Sequence, residues 1–345
     1  MEQEHKRRVR YSGTHPKQFN EKYKELNPEK YADEIEKIMK KGATPAGMHR
    51  PIMVNEILEA LAIQPGEIGL DATLGYGGHT SKMLEKLNGV GHLYATDIDP
   101  IESEKTKARL AAKGFGPEIL TIKNINFCNM DQIEEGLKFD FVLADLGVSS
   151  MQIDSPNRGF TFKHDGPLDL RFNPNIGVPA SERLLELSEK ELVEILVTNS
   201  DEPYAEKIAR QIVMKTWHGA PIETTKQLYE AVALALDDLP KRDKDFMIKK
   251  SCQRVFQALR IDINHEFEVL ETFLEKLPKM MKPKGRIAIL TFHSGEDRLV
   301  KKSFKALHSE GVYEAISDGV IRPSSEEVYQ NPRSKSTKLR WAIKS

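Results

Sequence analysis

The chain has 345 residues, with 51 Lys and Arg against 52 Asp and Glu, a formal net charge of −1 and 39% hydrophobic residues. That length accommodates one large domain or two ordinary ones, the apolar content can build a real core, and no apolar run is long enough to span a bilayer. Cys128 and Cys252 form no CxxC pair, which argues against a disulfide framework or a zinc site, and the charged N-terminal segment lacks the apolar stretch of a signal peptide, so a cytoplasmic location is expected.

Residues 1–47 read as a charged extension in which Tyr31 to Lys41 places Ile35, Ile38 and Met39 at helical spacing before Gly42-Ala-Thr-Pro-Ala-Gly47 breaks the pattern. From residue 48 the character changes. Ile52 to Ile63 predicts a helix, and Ile68 to Ala72 a buried strand. Gly75, Gly77 and Gly78 then form a glycine turn, and Thr80 to Leu87 resumes as a helix. Gly91 to Asp99 is a second strand, Ile101 to Ala112 a helix, Ile119 to Ile125 a third strand and Phe139 to Asp145 a fourth. Strands alternating with helices predict an α/β fold with a parallel, doubly wound sheet. Leu146 to Pro179 is loop-like, and Ser181 to Val197, Pro203 to Trp217 and Thr224 to Leu239 carry helical patterns, with Thr224 or Thr225 as a cap. Residues 151–251 therefore read as an inserted helical domain, dividing 48–150 from 252–345. A helix over Asn264 to Met281, a strand over Arg286 to His293, a helix near Arg298 to His308 and a closing strand over Lys338 to Lys344 complete the expectation.

The glycine turn alone is weak, since Gly75-Tyr-Gly77-Gly78 is not the dinucleotide fingerprint. Asp97, at the end of the next strand, strengthens it, because an acidic residue there can accept hydrogen bonds from the hydroxyls of a ribose. Its structural alternative is a helix cap ahead of Pro100. No GxxxxGK[ST] motif is present, which argues against a P-loop NTPase. A glycine turn with a ribose carboxylate also suits S-adenosylmethionine. Asp145, at the end of the fourth strand, either caps a loop or accepts from a target amine. An exocyclic amine is a poor nucleophile, and a hydrogen bond from its N–H to a carboxylate localises the lone pair. Phe127 can stack on a base or pack in the core, and Asn157 to Lys163 interleaves aromatic and basic residues as nucleic-acid loops do. The last 25 residues hold Arg322, Arg333, Lys335, Lys338, Arg340 and Lys344 against Glu326 and Glu327, a basic tail that is a phosphate contact or a solvated end. His79 and His293 lack metal-ligand spacing, so no metal is expected.

His49-Arg-Pro-Ile52, Asp71 to His79, Asp145-Leu-Gly-Val-Ser-Ser150, Arg158-Gly-Phe-Thr-Phe162, Asp165-Gly-Pro-Leu-Asp169, Phe256-Gln-Ala-Leu-Arg260, Phe292-His-Ser294 and Asn331-Pro-Arg-Ser334 occur in order. With these blocks the chain, from about residue 48 to its end, resembles the bacterial 16S ribosomal RNA cytosine-N4 methyltransferases of the RsmH (MraW) type. The resemblance implies a class I, Rossmann-like methyltransferase sheet with an inserted all-helical substrate-recognition domain. It implies S-adenosylmethionine as donor and a decoding-region cytidine of the small ribosomal subunit as acceptor. Carried over by position, it implies Gly77, Gly78 and His79 around the methionine moiety, Asp97 at the ribose and Phe127 at the adenine, with Asp145 and Gln152 completing the cofactor site beside the amine and Asp145 as the catalytic group. Arg158, Phe160, Phe162, Lys163, His293, Arg333 and Lys335 are its candidate RNA contacts. Two departures stand out: the extension before residue 48, and Gly295 where the family usually has a larger apolar residue. A same-fold methyltransferase of another RNA or small molecule, and a non-catalytic assembly factor, are the competing readings. No motif encodes the oligomeric state, and a homodimer is left open.

Overall fold

The computed structural model describes residues 51–345; the amphipathic stretch at 31–41 lies outside them. Helix α1 (Val54–Leu61) precedes β1 (Ile68–Asp71), α2 (Gly78–Leu87), β2 (His92–Thr96), α3 (Pro100–Ala112), β3 (Leu120–Lys123) and β4 (Phe139–Asp145). A short α4 (Ser150–Asp154) and a 3-10 turn (Pro156–Arg158) lead into α5 (Ala180–Glu186), α6 (Glu189–Ser200), α7 (Ala205–Trp217), α8 (Thr225–Ala235) and α9 (Lys244–Asn264). Then α10 (Glu266–Met280) returns the chain to the sheet as β5 (Met281–Thr291), followed by α11 (Ser294–Ser309), β6 (Tyr313–Ile316), α12 (Ser325–Gln330) and β7 (Lys338–Lys344).

The strands form one seven-stranded sheet in the order β3-β2-β1-β4-β5-β7-β6. β1 to β5 run parallel, while β7 pairs antiparallel with both β5 and β6. The order reverses between β1 and β4, and such a switch point leaves a crevice at the carboxyl ends of the strands where ligands bind. Alternation along β4 sends Phe141 and Leu143 to the face covered by α1, α2 and α3, and Val142 and Ala144 to the face covered by α10 and α11. Phe139 departs from this alternation because the register of β4 against β5 shifts between it and Phe141.

The helical stretch gathers a third apolar cluster of its own, running from Leu168 to Leu259 and including Leu192, Ile212, Leu228 and Val255. The pattern predicted as one helix over Ser181 to Val197 is two, because Ser188 starts a new one: its side chain accepts from the Glu191 amide and Glu191 reaches back in a capping box. Thr224, of the two candidates, caps α8 in the same way with Gln227. The 21-residue helix α9 was not anticipated, and it crosses the expected boundary at 251/252. Its buried residues Cys252, Val255, Phe256 and Leu259 belong to the helical cluster, so the continuous helix carries that core past residue 251. Among the described residues, no helix is long and apolar enough to cross a membrane.

Candidate active site

The carboxyl ends of β1, β2 and β4 bring Asp71, Asp97 and Asp145 to one edge of the sheet. The glycine turn between β1 and α2 is pinned there from several sides. The Leu74 amide donates to Thr96 O at 2.9 Å, the Gly75 amide to Asp97 Oδ2 at 2.8 Å, and Thr106 Oγ1 to Gly75 O at 2.6 Å. Gly77 has φ +78°, and a Cβ there would meet Thr106 Cγ2 at 2.7 Å. Both the left-handed backbone and the close approach of α3 demand glycine at this point.

Asp97 is held in one orientation, since its other oxygen accepts the Asp99 amide at 2.8 Å. Burial pushes its carboxyl up to about 7, although the Asp99 and Gly75 amides pull it down. Asp97 is therefore not the helix cap. That role falls to Asp99, whose Oδ1 accepts from the Ile101 and Glu102 amides ahead of α3. Asp71 is buried, accepting Thr80 Oγ1 at 2.6 Å and the Thr73 amide at 3.1 Å. Burial raises its carboxyl above the ordinary range against the pull of Thr80 and His79. Thr73 Oγ1 in turn accepts the Asp145 amide at 2.7 Å, tying the end of β4 to the turn after β1.

His79, in the first turn of α2, faces Asp145 across 3.5 Å from Nε2 to Oδ2. Neither His79 Nε2 nor Asp145 Oδ1 has a hydrogen-bond partner, although both atoms are buried. Orphaned buried polar atoms are rare enough to need a reason, and a ligand that brings donors and acceptors supplies one. Phe127 is half-buried and meets Phe273 edge to face, at 5.1 Å between centroids, packing against the core cluster under α10.

Several residues expected at the RNA face are committed to the protein. Arg158 donates to Asp99 Oδ2 at 2.7 Å and to the carbonyls of Arg171 and Phe172. Gln152, expected in the cofactor site beside the amine, donates to the same Asp99 oxygen at 3.0 Å, and its side-chain carbonyl oxygen accepts the Ser149 amide. Phe162 lies between Tyr229 and Phe256, and Phe160 packs on Phe172, so both half-buried rings pack against the helical core. Arg333 pairs with Asp154 at 2.7 Å. Lys163 and Lys335 are exposed.

His293 follows β5 and lies 3.2 Å from Glu296, with both ring nitrogens shut off from solvent. The structure thus brings His293, which showed no ligand spacing in sequence, into a group with Glu266 and Glu296. Arg260 closes the group by donating to both oxygens of Glu266. Burial acts to raise the Glu296 carboxyl, but His293, the Phe292 amide and Arg260 outweigh it and hold it low. Gly295 has a plain explanation here. A Cβ on it would sit 2.6 Å from the Phe267 ring, so the aromatic side chain from α10 fills the space a larger residue would take. Asp99, Asp71, Thr106 and the Arg260–Glu296 group were missed in sequence. The Asp99-Pro100 step was the one available signal, as a cap followed by proline at the first helical position.

A strand running antiparallel at β7, on a sheet otherwise parallel through β5, separates this topology from a dinucleotide fold. With open polar groups gathered at the ends of β1, β2 and β4, the class is that of a Rossmann-like, class I methyltransferase. A model of the MraW methylase family matches residues 46–345, and the chain belongs to that family. It is 62% identical to "Ribosomal RNA small subunit methyltransferase H 1" of Lachnoclostridium phytofermentans, over 99% of this chain and 93% of that one. Identity to the protein of the same description from Agathobacter rectalis is also 62%, covering 100% and 99% of the two chains. "Ribosomal RNA small subunit methyltransferase H 2" of Alkaliphilus metalliredigens is 59% identical, over 100% and 99%. These alignments include the N-terminal extension, which is therefore shared with such relatives and is not peculiar to this chain.

Proposed function

We propose that the chain transfers a methyl group from S-adenosylmethionine to the exocyclic N4 amine of a cytidine in the decoding region of 16S ribosomal RNA, in the cytoplasm. The observation that carries this reading is the pair of unpartnered buried atoms, His79 Nε2 and Asp145 Oδ1, beside a glycine turn in which Gly77 has no room for a side chain. Gly77, Gly78 and His79 would hold the methionyl end of the donor, Asp97 the ribose hydroxyls and Phe127 the edge of the adenine. Gln152 acts one step back, by fixing Asp99 and through it Asp97. When bound, the donor supplies an electrophilic methyl on a sulfonium, which departs as a neutral thioether. Asp145 accepts an N–H of the cytosine amine, localises its lone pair and holds it in line with that methyl. The sheet-bearing residues 48–150 and the region after the helical stretch carry the transfer, and the helical stretch selects the substrate.

Mass spectrometry of small-subunit rRNA from a strain lacking the gene tests this directly. N4-methylcytidine should disappear and return on complementation; an unchanged digest overturns the reading. Recombinant protein offered isolated small subunits, tRNA and free cytidine separates the competing methyltransferase readings, and calorimetry without S-adenosylmethionine binding would favour an assembly factor.

The position of the Asp97 titration gives a second expectation. Ribose hydroxyls donate to a carboxylate, so the protonated acid must lose its proton for the donor to bind. Affinity for S-adenosylmethionine should be flat above the Asp97 value of about 7 and fall as the pH drops through it, approaching about tenfold per pH unit. Asp97→Asn should flatten the profile in isothermal titration. An identical pH profile in the variant would separate Asp97 from the ribose.

A further inference from the structure

The exposed face of α11 carries Arg298, Lys301, Lys302 and Lys305, and no acidic residue interrupts them. At 3.6 residues per turn the four fall within a sector of about 100°, over about 10 Å of helix. The opposite side buries Glu296, Val300 and Phe304. None of the four cations has an ion-pair partner among the described residues, whereas Lys82 and Lys105 on α2 and α3 pair with Glu85 and Glu102.

A solvated helix face is the ordinary reading of surface charge, and such faces normally interleave signs. Here Arg298 with Lys302, and Lys301 with Lys305, are like charges one turn apart, an arrangement that destabilises a helix. A polyanion laid along the helix removes that repulsion. The position of the stripe also matters. Helix α11 begins three residues after the end of β5, the strand beside β4 and its Asp145. It lies between two grooves. One, of about 170 Å³, is bounded by Asn199 of α6 together with Phe267, Ser294 and Arg298. The other, of about 300 Å³, is bounded by Lys301, Lys305, Ser317 and Arg340.

We infer that the cationic face of α11 is a track for the phosphate backbone of the RNA, leading from the helical stretch past the end of β5. This rests on the proposed action on ribosomal RNA, and it replaces Arg158 and Arg333, whose guanidinium groups are paired with Asp99 and Asp154, as the main phosphate contacts.

The test compares the full-length protein with its R298Q/K301Q/K302Q/K305Q variant. Filter binding to a naked 16S decoding-region fragment, across a salt series, should show the slope of log affinity against log salt falling by about 3 in the variant, at ~0.7 for each phosphate no longer neutralised. KM for small subunits should rise at least about tenfold, with S-adenosylmethionine affinity unchanged and the thermal midpoint level or slightly raised, because all four residues are exposed and their mutual repulsion is removed. An unchanged salt slope and KM overturn the track. A defect seen with assembled subunits but not with naked RNA overturns it too, by placing a ribosomal protein on this face. If wild-type protein binds the fragment but methylates no small-subunit RNA, the proposed function fails, while the salt slope still decides the track.

Discussion

Asp145→Ala should lower kcat for methyl transfer by ~10²–10³, the usual loss when one preorganised polar partner of a reacting group is removed. The fold should survive. Asp145 is anchored through its backbone, whose amide donates to Thr73 Oγ1, and that bond does not need the side chain. The carboxylate itself contributes little to stability: Oδ1 has no partner, and Oδ2 reaches only His79 at 3.5 Å. It also repels Asp71, whose buried carboxyl is pushed further up by the Asp145 charge. Removing it relieves that repulsion, so the thermal midpoint should stay level or rise while turnover falls. Such a divergence is the mark of a group retained for function against stability. Single-turnover rates at saturating donor and RNA measure the chemical step. A rate near wild type would remove Asp145 from the reaction, and a fall in both rate and midpoint would make it a structural residue.

The parts legible in the sequence were those set by local pattern. β4 and β7 have the expected limits because the apolar run Phe141 to Ala144 and the polar–apolar alternation that opens β7 at Lys338-Leu-Arg-Trp341 each signal a strand without outside help. Asp97 and Asp145 were recognisable because strand ends in an open parallel sheet are where ligands meet the fold. Helix α9 escaped because its first turns, Lys244 to Lys250, crowd Phe246, Met247 and Ile248 into one run between charged pairs, and helical spacing of the apolar positions shows only from Cys252 onward. The internal partners of the aromatic–basic loop were hidden for a different reason. Composition shows a ring or a guanidinium but not its partner, and the partners lie far along the chain: Arg158 meets Asp99 across 59 positions. Tyr229 and Phe256, which enclose Phe162, are more distant still. Gly295 likewise looked like a local departure until Phe267 was seen to fill its space.

Arg158→Ala should destabilise the protein by ~3–5 kcal/mol, the range for stripping one partner from a buried ion pair. The Asp99 side chain is 0% exposed and that of Arg158 13%, so water cannot replace the guanidinium. Asp99 would keep its two cap amides and Gln152, which places the effect toward the lower end of the range. Arg158 also spans to the Arg171 and Phe172 carbonyls, and the Phe172 amide donates to Asn264 at the end of α9. One side chain thus joins the cap of α3 to the start of the helical stretch. Arg158→Lys keeps the charge but not the fork, and should recover only part of the loss. Urea denaturation of both variants, with Lys163→Ala as an exposed control expected within about 0.5 kcal/mol of wild type, gives the comparison. An RNA contact and an internal clamp differ in sign here. A contact would leave the urea midpoint unchanged and raise KM for RNA alone. A clamp lowers the midpoint and also weakens S-adenosylmethionine binding, because the Asp99 amide holds the carboxylate of Asp97, the residue proposed for the ribose.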